Sequence, residues 1–267
     1  MFPDRKLYGD DVIWTGNEDE GFQTSHLITS VAHNTGYSSY GPPTGRRVVW
    51  RAIAQCVAKH NMIFEEWLLR DETSLIQQLG YNVLEIAEQQ VRGTANNQLS
   101  IGGEIGRTLG QMPPPQMPPK TSAAFDVEDF VRRSYHEIWN WRLLNKIRDY
   151  YTSSHVCYTS GSRKFHGQAE LTAFMLSMLA MFPDAGMSLD HLYWNGDEQT
   201  GYRVATRWTL TGTHTGYGSY GEPSGARVRV MGLSHHQIKQ GRFVQEYSLF
   251  DEMGLAKQIM AHRLGLG

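Results

Sequence analysis

His236 and Glu246 lie on either side of Lys239-Gln240-Gly241-Arg242, a run that reads as a hairpin turn. Directly opposed residues of an antiparallel hairpin have a constant sum of positions. A turn centred on Gly241 gives 482, which opposes His236 to Glu246 and Ser234 to Ser248, provided no bulge intervenes. Opposed Cβ atoms lie about 4.5–5.5 Å apart, close enough for a carboxylate to orient an imidazole or accept its proton. Side chains two apart on a strand share a face. Val244, Glu246, Ser248 and Phe250 are therefore expected on one face, with Val230, Gly232, Ser234 and His236 beside them. Polar groups in an enclosed site are costly unless satisfied or used. Their use here would be proton transfer. The plainer alternative is a solvated Glu–His contact near a hairpin tip.

Other residues with chemical potential carry a structural alternative of their own. His214 stands at a strand end beside a Gly-rich loop, where it either contacts a ligand or holds the loop by a hydrogen bond. Tyr217 and Tyr220 either close a pocket mouth or pack. Trp139, Trp194 and Trp208 read as core or cavity wall, and Asp251 as a helix cap or loop anchor near the site. Metal chemistry finds little support. His136-Glu137 lacks a second His four residues on, and His235-His236 has no Cys or Asp set nearby. The methionines Met175, Met178 and Met181 read as core filler. Ser100-Ile101-Gly102-Gly103-Glu104-Ile105-Gly106 lacks the Gly-Lys-Ser/Thr ending of a phosphate loop.

Composition narrows the remaining classes. The chain has 267 residues, 40% hydrophobic and 19% charged, with a formal net charge of -2, as expected of a folded domain or two. No basic face is concentrated enough to make nucleic acid an expected partner. No apolar run reaches the roughly 18–20 residues that cross a bilayer, and Met1-Phe2-Pro3-Asp4 begins no signal-peptide core. Cys56 and Cys157 are the only cysteines, too few for a disulfide framework or a four-cysteine zinc site. A reduced, cytoplasmic protein is the expectation.

The elements that must position these residues occur twice. At an offset of 180 residues, Thr35-Gly36-Tyr37-Ser38-Ser39-Tyr40-Gly41 lies on Thr215-Gly216-Tyr217-Gly218-Ser219-Tyr220-Gly221, and the register runs without a gap from Phe2 to Glu72. Of the 71 aligned pairs 24 are identical. The copies are unequal, because about sixty residues ahead of Phe182 have no counterpart in the first. The expected organisation is a truncated lobe over 1–91, a Gly/Pro-rich linker over 92–121 and a complete lobe over 122–267. A sheet face without its helices should be sticky. Trp14, Ile28 and Val48 are thus expected to be covered by the other lobe, by residues 81–121 or by another chain, unless the natural protein begins upstream of Met1.

In the second lobe, apolar spacing predicts a helix over Asp126 to Tyr151 and another over Gln168 to Met181. A short strand at His155–Thr159 lies between them. Strands follow over Gly201–Thr213, Ala226–Lys239 and Arg242–Phe250, then a terminal helix. Helices first and an antiparallel sheet after them make an α+β fold.

This order resembles the cone-shaped fold of the nuclear transport factor 2-like superfamily, and the motifs resemble its SnoaL-like polyketide cyclases. They are Phe182-Pro183-Asp184, Gly212-Thr213-His214-Thr215-Gly216, Pro223-Ser224-Gly225, Gly241-Arg242-Phe243 and Asp251. The resemblance implies a cofactor-independent intramolecular aldol cyclase acting on a hydrophobic carbonyl compound, and a homodimer or internal pseudo-dimer packed sheet to sheet. It also implies a catalytic Asp at position 248 and a histidine at 234. This sequence carries Ser248 and Ser234 there, and Leu68 and Ala54 in the first copy. The second lobe, richer in hydroxyl, imidazole and carboxylate, is read as the working one, with Glu246 and His236 as the shifted reactive pair. Ser234, Ser248, His214, Tyr217, Trp194, Trp208 and Phe250 are the expected substrate contacts. Two functions remain open: a cyclase, isomerase or hydrolase working by proton transfer, or a non-catalytic binding or scaffolding protein that has lost the base.

Overall fold

The structure is a computed structural model that describes residues 1–93, 117–120, 122 and 124–266. Most of the expected linker, with the Gly-rich run, lies outside the described residues. The first lobe opens with β1 (Lys6–Asn17), β2 (Gly21–His33), β3 (Arg47–Lys59) and β4 (Met62–Arg70), antiparallel in that order, followed by α1 (Glu72–Leu79) and α2 (Val83–Gly93). The second lobe begins with α3 (Val127–Tyr135), α4 (Ile147–Tyr150), β5 (Tyr151–Thr159), β6 (Arg163–His166) and α5 (Gly167–Met181). It continues with β7 (Gly186–Asp197), β8 (Gly201–Thr213), β9 (Arg227–Lys239), β10 (Arg242–Phe250) and α6 (Glu252–Arg263). Its six strands run β6-β5-β10-β9-β8-β7, giving an α+β fold.

Three expectations need correction. The helix over Asp126–Tyr151 is broken: a wide turn at His136–Asn140 follows α3, and Arg142 takes a left-handed φ of 56°, which stops propagation. The sheet is not wholly antiparallel, because β5 pairs parallel with β10, setting Cys157 beside Glu246. The opposition of His236 to Glu246 is present, yet it has a different origin. Gln240 and Gly241, both at positive φ, form a two-residue turn closed by Lys239 and Arg242. A bulge at Val244 then shifts the pairing by one. The bulge puts Phe243, and not Val244, on the His236 face, with the two rings 5.0 Å apart. The first lobe has the same turn at His60-Asn61 and the same irregularity at Phe64, so Cys56 opposes Glu66.

The repeated motifs have matching local roles. Asp4 accepts from the His33 amide and Asp184 from the Thr213 amide, each tying a strand end to the start of its sheet. Tyr40 and Tyr220 are buried and donate to Glu72 and Glu252, the first residues of α1 and α6. Tyr37 and Tyr217 project outward, 80% and 73% exposed.

The sheets meet through equivalent residues. Ile53 gathers with Leu233, Leu69 with Leu249, and Ile13 with Tyr193. Self-matching of this kind is the mark of packing about a two-fold axis. Polar ties cross the same seam. His235 has Ser25 Oγ 2.7 Å from Nε2 and Asp11 Oδ2 3.0 Å from Nδ1, while Asp11 pairs with Arg203 at 2.6 Å. A Ser–His–Asp chain at these distances has the spacing of a nucleophilic triad. Ser25 is completely buried between the sheets, so the chain here joins the lobes. The outcome at the helix-poor face is mixed. Val48 is buried under α1 and α2, Ile28 is half-buried, and Trp14 remains 49% exposed.

Asp71 makes a second clasp. It caps α1 through the Ser74 amide at 3.0 Å and accepts from the Gly161 and Ser162 amides of the other lobe at 2.7 and 3.1 Å. Its counterpart Asp251 has a single such bond, from Gly254. Asp71→Ala leaves several amides short of an acceptor and is expected to cost about 2–4 kcal/mol, whereas Asp251→Ala should cost about 1 kcal/mol. Denaturant midpoints of the two variants check the difference. Equal losses would remove the clasp.

Candidate active site

β8, β9 and β10 form the back wall of a cavity that α3 and α5 roof over, and the sequence makes that wall in steps of two. Trp208, Leu210 and Val230 supply apolar wall, and Glu246, Ser248 and Phe250 follow along β10. Met175, Met178 and Phe174 come down from α5, with Trp139 and Tyr135 from the helical side. Room for water-sized molecules is about 50 Å³, a few waters' worth. A ligand of several rings therefore needs side chains such as Phe174 or Trp139, both only partly buried, to swing aside.

One carboxyl opens onto this apolar space. Glu246 is 8% exposed, and its Oε2 lies 3.7 Å from His236 Nδ1 and 3.8 Å from His155 Nε2. Burial raises its pKa from the ordinary 4.5 to about 7, with the Ser248 hydroxyl working weakly the other way. Both imidazoles are driven the opposite way. Burial first, then the neighbouring His155 and His235, takes His236 down to about 3. Burial, offset in part by the Phe243 backbone, takes His155 to about 4. At neutral pH both rings are uncharged while the carboxyl stands near its midpoint, which is where a general base works best.

His236 itself does not line the cavity. Its Nε2 is 3.0 Å from the Tyr135 hydroxyl and 3.3 Å from Thr206 Oγ1. With Tyr135 donating to Nε2, the ring proton sits on Nδ1 and faces Glu246. Ser234 and Ser248, at the positions where the resemblance puts His and Asp, are 2.7 Å apart, and Ser234 Oγ accepts from Trp208 Nε1 at 3.0 Å. Gly232 makes that possible, because the Trp208 ring lies where a Cβ on residue 232 would be.

Several expected contacts are placed elsewhere. His214 is fully buried at the end of β8, with Nδ1 3.0 Å from Ser224 Oγ and its carbonyl accepting from the Ser224 and Gly225 amides. It holds the loop, as Asn34 does in the first lobe by accepting from the Thr44 amide. Tyr217 is at the exposed loop tip and Trp194 is partly exposed on the edge strand β7, so neither lines the cavity. Asp251 caps α6. Among the described residues no group of three or more His, Cys, Asp or Glu is placed to hold a metal ion. No helix among them is long and apolar enough to cross a membrane. The residues that sequence reasoning missed are His155, Tyr135, Tyr151 and Cys157. Only the parallel pairing of β5 with β10 brings the β5 group to Glu246.

The site is thus a helix-roofed sheet with Glu246 on the cavity wall. The model of the SnoaL-like polyketide cyclase family matches residues 129–259, in the second lobe. Similar solved structures include a candidate SnoaL-like polyketide cyclase from Jannaschia sp. CCS1, at 20% identity over 50% of this chain and 91% of that one, TM-score 0.46. Another is IdmH, a candidate polyketide cyclase from Streptomyces antibioticus, at 20% identity over 49% and 96%, TM-score 0.43. A third is AclR, a candidate hydroxylase from Streptomyces galilaeus, at 22% identity over 52% and 94%, TM-score 0.42. None of the curated proteins matches the sequence.

Proposed function

We propose that the second lobe is a cofactor-independent enzyme of cyclase or isomerase type, acting on a hydrophobic small molecule that carries a carbonyl. The observation that carries this reading is Glu246, a buried carboxyl on the wall of a largely apolar cavity, where burial raises its pKa to about 7. Glu246 takes the proton from the carbon beside the carbonyl: the C–H bond breaks, an O–H bond forms on the carboxylate, and the electron pair moves onto the carbonyl oxygen. His236, held by Tyr135, orients the carboxyl from behind. The enolate carbon then attacks a second carbonyl of the same molecule or is reprotonated at a new position. The first lobe serves as the partner subunit of an internal pseudo-dimer, which Ile53 against Leu233 and Leu69 against Leu249 support.

A second reading, a binding protein without chemistry, draws on Ser234 and Ser248. They satisfy each other at the family's reactive positions and leave no acid or base there. Deuterium exchange separates the two. An aromatic β-keto ester incubated with the protein in heavy water should exchange its α-proton faster than in buffer. Glu246→Gln should lower the protein-dependent rate about 10²–10⁴-fold, the usual contribution of a positioned base. Equal rates for parent and variant, with the ester bound by both, would favour the binding protein.

A further inference from the structure

His155 is 1% exposed on β5, and among the described residues neither of its ring nitrogens has a hydrogen-bond partner of normal geometry, the Phe243 backbone acting on the ring without meeting it. Nδ1 of His236 is in the same condition. An unpaired polar group in a core costs about 1–3 kcal/mol, and native cores keep few of them. A phenylalanine would fill the space of His155 without that cost. The orphaned nitrogens also converge. His155 Nε2 and His236 Nδ1 both approach the same oxygen, Oε2 of Glu246, from β5 and β9 on the two sides of β10. Separations of 3.7 and 3.8 Å are too long for hydrogen bonds, and catalytic bonds are often long in an empty site and tighten in the complex.

We propose that His155 is a positioning residue for Glu246: with His236 it clamps Oε2 between two imidazoles, leaving Oε1 as the oxygen that exchanges a proton with substrate. This rests on Glu246 being the base. The clamp works in both protonation states. When Glu246 is ionised, an N–H from either ring donates to Oε2. When the carboxyl is protonated on Oε1, Oε2 is its carbonyl oxygen and still accepts from a ring N–H, so the clamp holds the acid form as well. The other groups facing the carboxyl do not compete for that proton. Tyr135 on α3 and Tyr151 and Cys157 on β5 are all raised by burial and by Glu246 itself, and stay neutral. Ser248 on β10 is a neutral hydroxyl.

A carboxyl titration of the full chain tests this. The acid carbonyl band of Glu246 is followed by infrared difference spectroscopy and assigned by its loss in Glu246→Gln. The parent band should titrate near pH 7. His155→Leu removes a hydrogen bond to the ionised form and should move the midpoint upward by about one unit, equivalent to a tenfold lower ratio of carboxylate to acid at a given pH. His155→Gln, which keeps an N–H, should bring it back towards the parent. If the Leu variant does not fold, His155→Phe, a ring of similar shape, is read in its place. A parent midpoint near 7 that neither apolar variant moves overturns the role of His155 and leaves Glu246 as the base. A parent midpoint in the ordinary carboxylate range sinks both.

Discussion

Glu246→Gln is expected to give a protein that is more stable than its parent above pH 7, by on the order of 3 kcal/mol, while losing proton transfer. The carboxyl titrates at about 7 in the folded chain and near 4.5 in the unfolded one. Below pH 4.5 it is protonated in both states and costs nothing. As pH rises from 4.5 to 7 the unfolded chain releases this proton and the folded chain keeps it, so stability falls by about 1.4 kcal/mol per unit, then levels off. Gln has no such term. His155 and His236 act with the opposite sign. Their folded values of about 4 and about 3 lie below the ordinary 6.5, so their stability is complete above 6.5 and is lost as pH falls. Between pH 4.5 and 6.5 the three groups together give the parent a gain of about 1.4 kcal/mol per unit of rising pH, and the Gln variant about twice that. Unfolding by urea at pH 5, 6, 7 and 8 measures both slopes. Parallel curves for parent and variant would mean that Glu246 ionises normally. A stability gain bought with lost chemistry is the usual mark of a working buried group.

The parts of this site that could be read from sequence are the ones with a local signal. β8, β9, β10 and α5 were legible because alternation, Gly-rich turns and the Phe182-Pro183 stop are all written within a few residues. The opposition of His236 to Glu246 was legible too, although by an argument that left out two features. The two-residue turn sets the sum of positions at 481, and the Val244 bulge returns it to 482. β7 had no clear pattern, since a register shift between Leu189 and His191 interrupts its alternation. The long helix failed at Trp141-Arg142, where apolar spacing continues but the backbone turns left-handed. His155 was out of reach for a different reason. Its strand meets β10 in parallel after a stretch of some ninety residues, and a parallel partner leaves no local mark of register. His214 and Trp194 were legible as residues of chemical type, but not as to where they point.

Gly232 decides whether the cavity exists at all, and Gly232→Ala should close it. In the first lobe the equivalent pair is Ile28 opposite Ala52, and in the second it is Trp208 opposite Gly232. The indole lies flat over the glycine, with ring atoms 2.0–2.5 Å from where a Cβ would stand. Its Nε1 thereby reaches Ser234 Oγ. An added methyl cannot share that space, and the strand beneath is held on both sides by β8 and β10. Trp208 has to rotate towards Phe250 and Ser248, filling the cavity and abandoning its hydrogen bond. Overpacking together with a lost buried bond is expected to cost about 2–4 kcal/mol and to abolish binding of the β-keto ester. The first lobe suggests the remedy. Trp208→Ile placed with Gly232→Ala copies the Ile28–Ala52 pair, removes the clash and reopens the space, although the cavity is then wider and lacks the indole donor. The double variant should be more stable than Gly232→Ala alone by about 1–2 kcal/mol, a coupling between touching residues, and should recover ester binding. Urea midpoints and ester titration of both single variants and the double complete the cycle. Strict additivity, or a Gly232→Ala protein that still binds the ester, would show that the glycine does not make room for the indole.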